Sequence, residues 1–453
     1  MSPEELADRA LGVLGGDALV TAMRERWTML RFAHSRPTQL TSVDDLTVEI
    51  AALRSGHVGR ASTNGTNAQQ LKACAEQAAR AAEAGAAASG PGGFPGFPPR
   101  HAPRPHGGYD PATADLDISR GREALEAAFE AASAAGVEVG GIWTAGEVHT
   151  TIASPGTAPV SERVTDAYMK VVAIAPSEQS GYASDSAASV AGIDAAAIAA
   201  EAVQKACRGA GTSAVEPGEY TVVLEPHAVS ELLWVLGHSA FNGLVHAEGQ
   251  GALSGKLGTR VVAPAINLSD SPRFPGTLPR GIDAEGVAKA PLPLIQDGVA
   301  HAVAHDTRSA ALARAQTTGH ALEAGGSVRG PRPTNLVLIG GGEPDAAGLC
   351  AGVERGIYVT RLWYTNILRH EDTAFTAVTR DGTFLIERGE VSSRIADMRV
   401  TDTALGILGR TRALGSRTRL CAEGEFYGRR FATGSVCPAL RAEGVRFTGT
   451  AGA

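Results

Sequence analysis

The sequence predicts an α+β fold in two domains, on three grounds. At 453 residues the chain is longer than one hydrophobic core usually sustains. Its composition, 43% hydrophobic and 20% charged, is typical of a globular protein. Alanine-rich helical stretches alternate with strands up to about residue 215, whereas short strands bounded by Gly, Pro and Asp dominate from Leu257 onward. We therefore expect an N-terminal α+β domain over residues 1–215 and a C-terminal, mainly antiparallel and barrel-like β domain over residues 216–453.

In the first half, residues 1–33 are predicted to be helical. A strand is predicted at Leu46–Leu53, and the Asn-Gly pair at residues 64–65 is a turn signal. Three alanine-rich stretches are predicted as further helices, the last with Asp194 as N-cap: Ala68–Ala88, Ile118–Ala135 and Asp194–Cys207. Between the last two helices we expect a strand with a hairpin over residues 137–154 and another strand over residues 164–176.

Residues 89–114 break every periodic pattern. The segment holds seven prolines and six glycines, which neither a helix nor a central strand tolerates. We expect a long surface loop without regular structure. Its aromatic residues Phe94, Phe97 and Tyr109 suit docking onto a partner, although a solvated linker accounts for the composition better.

The second half begins after the turn Glu216–Tyr220 with a buried strand, TVVLEP, and a helix over Ser230–Gly243. Short strand patterns follow, and Arg380-Asp381-Gly382 lies between two alternating runs, as in a hairpin. The strand patterns cover residues 260–270, 291–304, 335–342, 356–364, 374–392 and 445–450.

Charge and hydropathy exclude several classes of function. The net charge is −7, with 41 Lys and Arg scattered among 48 Asp and Glu, so we expect no nucleic-acid partner. No apolar run approaches the roughly 18 residues that a membrane span needs. The N-terminal segment is acidic and lacks a secretory pattern, and the five cysteines contain no CxxC pair. We therefore expect a cytoplasmic protein with free thiols.

Several short segments, in a consistent order, carry a family resemblance. They are VVLEPHAVSELLWVLGH, SGKLGTRVV, QDGV, TTGHA, GIYVT, DGTFLIERGEV and PALRAEGVRFTG, with a looser fit at TNGTNAQQL in the first half. In this order the chain resembles the TldD/PmbA family of peptidases and peptide-processing proteins. The resemblance covers most of the sequence.

The resemblance implies which kind of subunit this is. In the TldD kind, a helix carries His-Glu, three further residues and His, and the two histidines bind zinc with a distant cysteine. The TldE (PmbA) kind lacks that motif and pairs with a TldD subunit. If Gly237-His238 aligns with the end of the motif, Leu233 replaces the first histidine and Trp234 the catalytic glutamate. The resemblance thus implies a metal-free TldE-like subunit of a heterodimeric zinc peptidase, with no cofactor in this chain, zinc in a TldD-like partner, and peptides, some from antibiotic pathways, as substrates.

Metal binding by other residues of the same helix is the first alternative, with His227, Glu231 and His238 as candidates. His227 and Glu231 share a helix face. Eleven residues separate the two histidines along the helix, about 16 Å of rise, which one ion with bonds near ~2 Å does not span. We expect His238 to be hydrogen-bonded near the helix C-terminus. Cys437, close to where zinc-bearing subunits place their cysteine, is expected to be a small buried residue.

Strand alternation places Arg361 and Trp363 on one face and Leu362 and Tyr364 on the other. An Arg with aromatic neighbours suits a peptide carboxylate, and it suits a subunit interface equally well. Two further histidines are expected on one strand face, exposed to solvent: His301 and His305.

Two other functions therefore stay open. One is an enzyme with its own rewired site, built from Glu231, His238, Arg361 and Tyr364, that tailors a natural product. The other is a protein that binds peptides without any chemistry.

Overall fold

The computed structural model describes residues 1–90, 92–209, 212–422 and 428–450. The first sheet has six strands, all paired antiparallel, in the order β3-β2-β1-β4-β5-β6. Their bounds are β1 (Ala18–Ala33), β2 (Arg36–Arg54), β3 (His57–Thr63), β4 (Glu138–Ser154), β5 (Thr157–Ile174) and β6 (Ser180–Ala187). The helices of this half are α1 (Pro3–Leu11), α2 (Ala68–Ser89), α3 (Pro111–Ala114), α4 (Ile118–Ala135) and α5 (Ala195–Cys207), with a 3₁₀ turn at Val190–Gly192.

The alanine-rich helices cover one face of this sheet. The small side chains of α4 and α5 pack with β4, β5 and β6, and those of α1 and α2 pack with β1 and β2. The three predicted helices are confirmed, including Asp194, whose side chain accepts the N–H of Ala197 at the start of α5. The prediction for residues 1–33 is right only for α1, because residues 18–33 form the central strand β1. Pairing with β2 and β4 on both sides overrides the helical pattern there.

The hairpin predicted over residues 137–154 does not form. Residues 138–154 form the one strand β4, and the chain turns only at residues 155–156. Gly146, inside β4, has a packing role, since a Cβ there would lie 2.5 Å from the Trp27 side chain and 2.7 Å from Nε of Arg430. The strand over residues 164–176 is confirmed within β5.

The second sheet contains twelve strands. They are β7 (Thr212–Ser213), β8 (Gly218–Leu224), β9 (Leu268–Asp270), β10 (Leu292–Gln296), β11 (Val299–Ala300), β12 (Asn335–Leu338), β13 (Arg355–Arg369), β14 (Ala374–Glu387), β15 (Glu390–Ile395), β16 (Met398–Thr403), β17 (Thr411–Ala422) and β18 (Gly434–Thr450). The short helices are α7 (Gly243–Ala247), α8 (Thr307–Ala313), α9 (Ala346–Cys350) and α10 (Ala404–Gly409), and the longer α6 spans Pro226–Ser239.

Part of this sheet closes on itself. β18 pairs with β8, β8 with β13, β13 with β14, β14 with β16, and β16 again with β18. The circuit encloses a core of residues such as Val222, Ile357, Phe375, Val400 and Phe447. The α+β class with a barrel-like, mainly antiparallel second half is confirmed; the parallel pairs are β8 with β13, β12 with β18 and β7 with β15.

The Asp381-Gly382 pair does not make the predicted hairpin. β14 runs through it with φ values of 55° and 130°, and its register against β13 shifts at this point, as in a bulge. The turn comes seven residues later at residues 388–389. Residues 260–267 also contain no strand, since only the last three residues of that predicted strand form β9.

Residues 92–110, called the strap below, contain no helix or strand. The expectation of an irregular segment is wrong for residues 111–114, which form α3 with Asp110 as its N-cap. The strap is also not a solvated linker: Phe94 is 8% exposed and meets Phe97 edge to face, and Phe97 packs beside Leu19 and Ile152 of the first sheet. Of the helices in the described ranges, none is both long and apolar enough to cross a membrane.

A buried ion pair ties the segment before β18 to the first sheet. The Arg430 guanidinium, fully buried, donates to both carboxylate oxygens of Asp166 at 2.8 and 2.6 Å and to Oγ1 of Thr144 at 3.1 Å. The Arg430 backbone N–H donates to the Glu25 carboxylate at 3.0 Å. Removing one partner of such a pair leaves a buried charge uncompensated.

We therefore expect Asp166→Asn to lower the free energy of unfolding by about 3–5 kcal/mol, measured by urea denaturation. The matched control is Glu443→Gln, which breaks the exposed pair between Arg412 and Glu443, half of each side chain being exposed. That change should cost about 1 kcal/mol or less. Equal small losses for both variants would contradict a structural role of the buried pair.

Candidate functional site

The helix that follows the barrel strand β8 is the centre of the candidate site. Glu225 is the N-cap of α6 and Pro226 its first residue. The side chains of Leu232, Leu233 and Leu236 have no exposure and belong to the barrel core. The apolar side chain of Leu233 is therefore part of the core, whereas that of Trp234 beside it is 39% exposed.

At the C-terminal end of α6, the Trp234 ring lies against the ring of His238, with centroids 4.3 Å apart. His238 Nδ1 is 2.8 Å from the carbonyl oxygen of Trp234, so this nitrogen carries the hydrogen and donates it. His238 Nε2 is then the acceptor for Nη1 of Arg332 at 2.9 Å. Burial and the positive charge of Arg332 lower the pKa of His238 from 6.5 to about 4. The imidazole is therefore neutral at physiological pH, with both nitrogens engaged.

At the other end of α6, His227 is buried against the first sheet. Its Nε2 is 2.8 Å from Oγ of Ser184, which accepts a hydrogen bond of 2.9 Å from the Tyr182 hydroxyl. The other ring nitrogen of His227, Nδ1, has no hydrogen-bond partner in the described part of the chain. Burial, together with the positive charge of Arg419, lowers the pKa of His227 well below 6.5.

Ion pairs surround this buried end of the helix. Lys205 donates to Glu201 at 2.7 Å and to Glu225 at 2.6 Å, and Arg419 donates to both oxygens of Glu201. Burial alone would raise the pKa of Glu201, but Arg419 and Lys205 lower it to about 2. The second oxygen of Glu225 accepts the Tyr358 hydroxyl at 2.8 Å. The start of α6 is thus fixed to α5, β13 and β17 at once.

The aromatic residues Trp363 and Tyr364, inside β13, do not follow the predicted alternation. Tyr364 has a φ of 50°, and its ring lies 3.9 Å from that of Trp363, so the two share one side of the strand. Tyr364 is 67% exposed. Arg361 donates to Asp381 at 2.7 Å and lies over the Tyr182 ring at 4.1 Å, beside His227 rather than His238. The described contacts do not bring Arg361, Tyr364 and His238 together.

The remaining candidates are also engaged within the fold. Cys437 is fully buried and its thiol donates to the carbonyl oxygen of Pro226 at 3.2 Å, while burial and Cys421 raise its pKa well above 9.0. All five cysteines are free thiols. The prediction of an exposed strand for the HAVAH histidines is wrong: His301 is exposed, but His305 is 6% exposed, lies outside any strand, and pairs with Oγ of Ser309.

The structure does not bring these candidate donors together. His227 and His238 are at opposite ends of α6, and Leu233 offers no donor atom between them. The second nitrogen of His238 accepts from a cation, and the Cys437 thiol holds its hydrogen. Over residues 1–90, 92–209, 212–422 and 428–450, no three His, Cys, Asp or Glu side chains are grouped as a metal ion requires.

Sequence reasoning missed Tyr182, Ser184, Glu201, Lys205 and Arg419. They come from the other half of the chain or from β17, and no motif connects them to α6. The available signal was weak: Tyr182 and Ser184 alternate on one face of the strand GYASDSA, and Glu201 and Lys205 are spaced i, i+4 on α5.

Two family models match the chain. One, described as the PmbA/TldA metallopeptidase C-terminal domain, matches residues 217–449, which is just over half of the sequence, and the other, PmbA/TldA metallopeptidase domain 1, matches residues 20–82. A protein from Methanothermobacter thermautotrophicus named Metalloprotease is 26% identical over 223 residues. That match covers 48% of this chain and 47% of the relative, so it spans about half of the relative's length.

Three solved structures share the fold along nearly the whole chain. TldE from Thermococcus kodakarensis is 18% identical with a TM-score of 0.84, covering 98% of this chain and 99% of its own. A candidate modulator of a DNA gyrase from Thermotoga maritima is 20% identical with a TM-score of 0.84, covering 98% and 100%. A candidate modulator of DNA gyrase from Bacteroides thetaiotaomicron is 22% identical with a TM-score of 0.79, covering 99% and 98%. At these identities the likeness concerns the fold.

The contacts of His238 predict a low pKa for its imidazole. Its imidazole should titrate near pH 4 in two-dimensional NMR, and Arg332→Met should move that value up towards 6.5, because a positive neighbour is lost while burial remains. Since the unfolded chain binds this proton near pH 6.5, His238 should reduce stability as the pH falls from about 6.5 to about 4. Arg417→Met, which removes an exposed arginine, should leave the titration unchanged. A midpoint near 6.5 in the unmodified chain would contradict the contacts described.

Proposed function

The chain belongs to the PmbA/TldD metallopeptidase family, and from that premise we propose that it is a TldE-like subunit without a catalytic zinc of its own. It acts in a heterodimer whose TldD-like subunit carries the HExxxH helix and the zinc. The substrate class is peptides or peptide-like molecules, including those of antibiotic pathways. A cytoplasmic location, supported by five unpaired thiols, is part of the proposal.

One observation supports the absence of zinc in this chain most directly. Leu233, where the family resemblance expects the first histidine ligand, has no exposure and is part of the barrel core. Its burial stabilises the fold by about 1.5–3 kcal/mol, so the position serves packing. Trp234, in the place of the general base, offers no carboxylate to activate water.

The partner and the substrate are supported less directly. The similarity in fold to TldE from Thermococcus kodakarensis and the match to an archaeal protein named Metalloprotease agree with a peptidase complex. Two exposed aromatic residues, Trp234 of α6 and Tyr364 of β13, suit a surface that contacts another chain.

The two alternatives make different demands on the structure. An enzyme with a rewired site needs Glu231, His238, Arg361 and Tyr364 around one substrate, whereas Arg361 is paired with Asp381 and faces the buried end of α6. A protein that only binds peptides needs no such arrangement, and the assay below distinguishes it.

The test is metal content and peptidase activity of the chain alone and co-purified with a TldD-like chain from the same genome. We expect less than ~0.1 zinc per isolated chain and no chelator-sensitive hydrolysis of an unstructured peptide, because a catalytic zinc needs three protein ligands. With the partner we expect zinc and turnover, both retained when this chain carries His238→Ala.

Stoichiometric zinc in the isolated chain, with chelator-sensitive turnover that His238→Ala abolishes, would overturn the proposal. Turnover by the isolated chain without metal would instead support a rewired enzyme. Peptide binding with no turnover even beside the partner would support a binding protein.

Rebuilding the zinc motif in this chain should fail for a structural reason. Leu233→His places an imidazole in the barrel core and should cost about 2–5 kcal/mol of unfolding free energy, whereas Trp234→Glu at a partly exposed position should cost about 1 kcal/mol or less. The double variant should bind no stoichiometric zinc, since a zinc site also needs neighbouring groups that orient its ligands, and the two substitutions supply none. Urea unfolding and metal analysis measure both, and a stable, zinc-loaded double variant would show the prediction to be wrong.

A further inference from the structure

A cavity of about 420 Å³ lies where the strap meets both halves of the molecule. Its walls are residues 105–107 of the strap, the last two residues of β6 with the one residue after it, and residues 273–277 and 279. Phe274, Pro275 and Gly276 are exposed, so the cavity opens to solvent on that side. The volume is within the range of pockets that bind small molecules. Neither the family comparison nor the α6 site accounts for it.

The charge of the cavity is positive. Of the described residues that line it, none is Asp or Glu, and Arg273 is the single arginine. Arg273 donates one hydrogen bond, from Nη1 to the carbonyl oxygen of Lys289 at 3.2 Å. No carboxylate in the described ranges lies within ion-pair distance of its guanidinium, which retains free donors.

The other ionisable group in the wall is already satisfied. His106 Nδ1 accepts the backbone N–H of Gly108 at 3.0 Å, so the ring hydrogen is at Nε2, which donates to the Glu162 carboxylate at 2.8 Å. Glu162 also accepts the N–H of Gly281. The pair is thus hydrogen-bonded to the backbone on both sides and ties the strap wall to the first sheet.

A buried hydroxyl in the wall lacks a partner. Ser186 is 7% exposed, and its Oγ has no hydrogen-bond partner among the residues that the structure describes. Two residues earlier on the same face of β6, the Ser184 hydroxyl is hydrogen-bonded to His227. A buried hydroxyl without a partner is costly, so a ligand atom that accepts from Ser186 would be favoured.

The mouth of the cavity is apolar. Phe274, which is 40% exposed, lines the cavity together with Pro275, Pro279 and, from the strap, Pro105. An exposed ring above a polar interior suits a ligand with one charged end and one apolar end.

We propose that this cavity binds the carboxylate of a small acid that carries an apolar or aromatic group. Arg273 supplies charge-assisted hydrogen bonds to the carboxylate, Ser186 donates a further one, and the apolar group packs on Phe274. The same chemistry occurs in a free N-acyl amino acid and at the C-terminus of a peptide. Binding requires neither zinc nor a partner subunit, so it is tested independently of the proposed peptidase role.

The test is isothermal titration calorimetry of the full chain with two acids and their amides. The small acid is N-acetylphenylalanine, compared with N-acetylphenylalaninamide, and the peptide is an acetylated Ala-Ala-Ala-Phe with a free or an amidated C-terminus. The variants are Arg273→Met and Ser186→Ala, with Arg417→Met as a matched control that removes an exposed arginine outside the cavity. Thermal unfolding of each variant checks that the fold is intact.

We expect at least one of the two acids to bind. An acid that binds should do so at least about tenfold more tightly than its amide, because the amide lacks a charge-assisted hydrogen bond. Arg273→Met should abolish that difference, Ser186→Ala should weaken acid binding by about tenfold, and Arg417→Met should change nothing. Binding of the small acid alone would identify a free metabolite-sized acid, and comparable binding of the peptide acid would identify a peptide C-terminus. Equal affinity for acids and amides, no binding of either acid, or unchanged binding in folded Arg273→Met would overturn the proposal.

Discussion

The burial of one side of α6 in the barrel core is the constraint on which the candidate site depends. Leu232, Leu233 and Leu236 have no exposure. Rotating the helix so that position 233 faced solvent would expose this apolar surface, at a free-energy cost of about 25 cal/mol for each Å². The same packing leaves Trp234 and His238 on the outer side. The barrel therefore determines which residues of the helix are available for any chemistry, and the neutral imidazole of His238 is among them.

The rotation of α6 is also fixed from its N-terminal end. Glu225 makes no side-chain capping bond to the helix; its carboxylate binds Lys205 and the Tyr358 hydroxyl instead. Lys205 in turn shares Glu201 with Arg419 of β17. Because these groups are largely buried, losing one would leave the others without compensation. With the pair between Arg430 and Asp166, this network makes the contact between the first sheet and the barrel a specific one.

Local patterns in the sequence predicted the elements that depend on local energetics. The alanine-rich helices, the Asp194 cap and the strand after Tyr220 are where propensity and capping place them. The failures have a common physical cause, which is tertiary pairing. Residues 18–33 are a strand because β2 and β4 bind both edges, and Asp381-Gly382 makes a bulge because Arg361 holds the Asp381 carboxylate within a continuing ladder. The residues around His227, which include Ser184, Lys205 and Arg419, come from distant parts of the chain, so no spacing rule could predict that they meet.

The strap shows that a segment too rich in proline and glycine for regular structure can still be structural. Three of its backbone groups are paired to the first sheet without a ladder: Gly92 N–H donates to Ser55 O at 2.8 Å, Phe94 N–H to Gly56 O at 3.1 Å, and Gly108 O accepts from Thr165 N–H at 2.8 Å. Glycine is required at residue 56, where a Cβ would lie 2.2 Å from the oxygen of Gly92. Each proline restricts φ in the unfolded chain as well, so ordering the strap costs less conformational entropy than its length suggests. A segment ordered in this way can hold one wall of the cavity beside β6 in place, as a solvated linker could not.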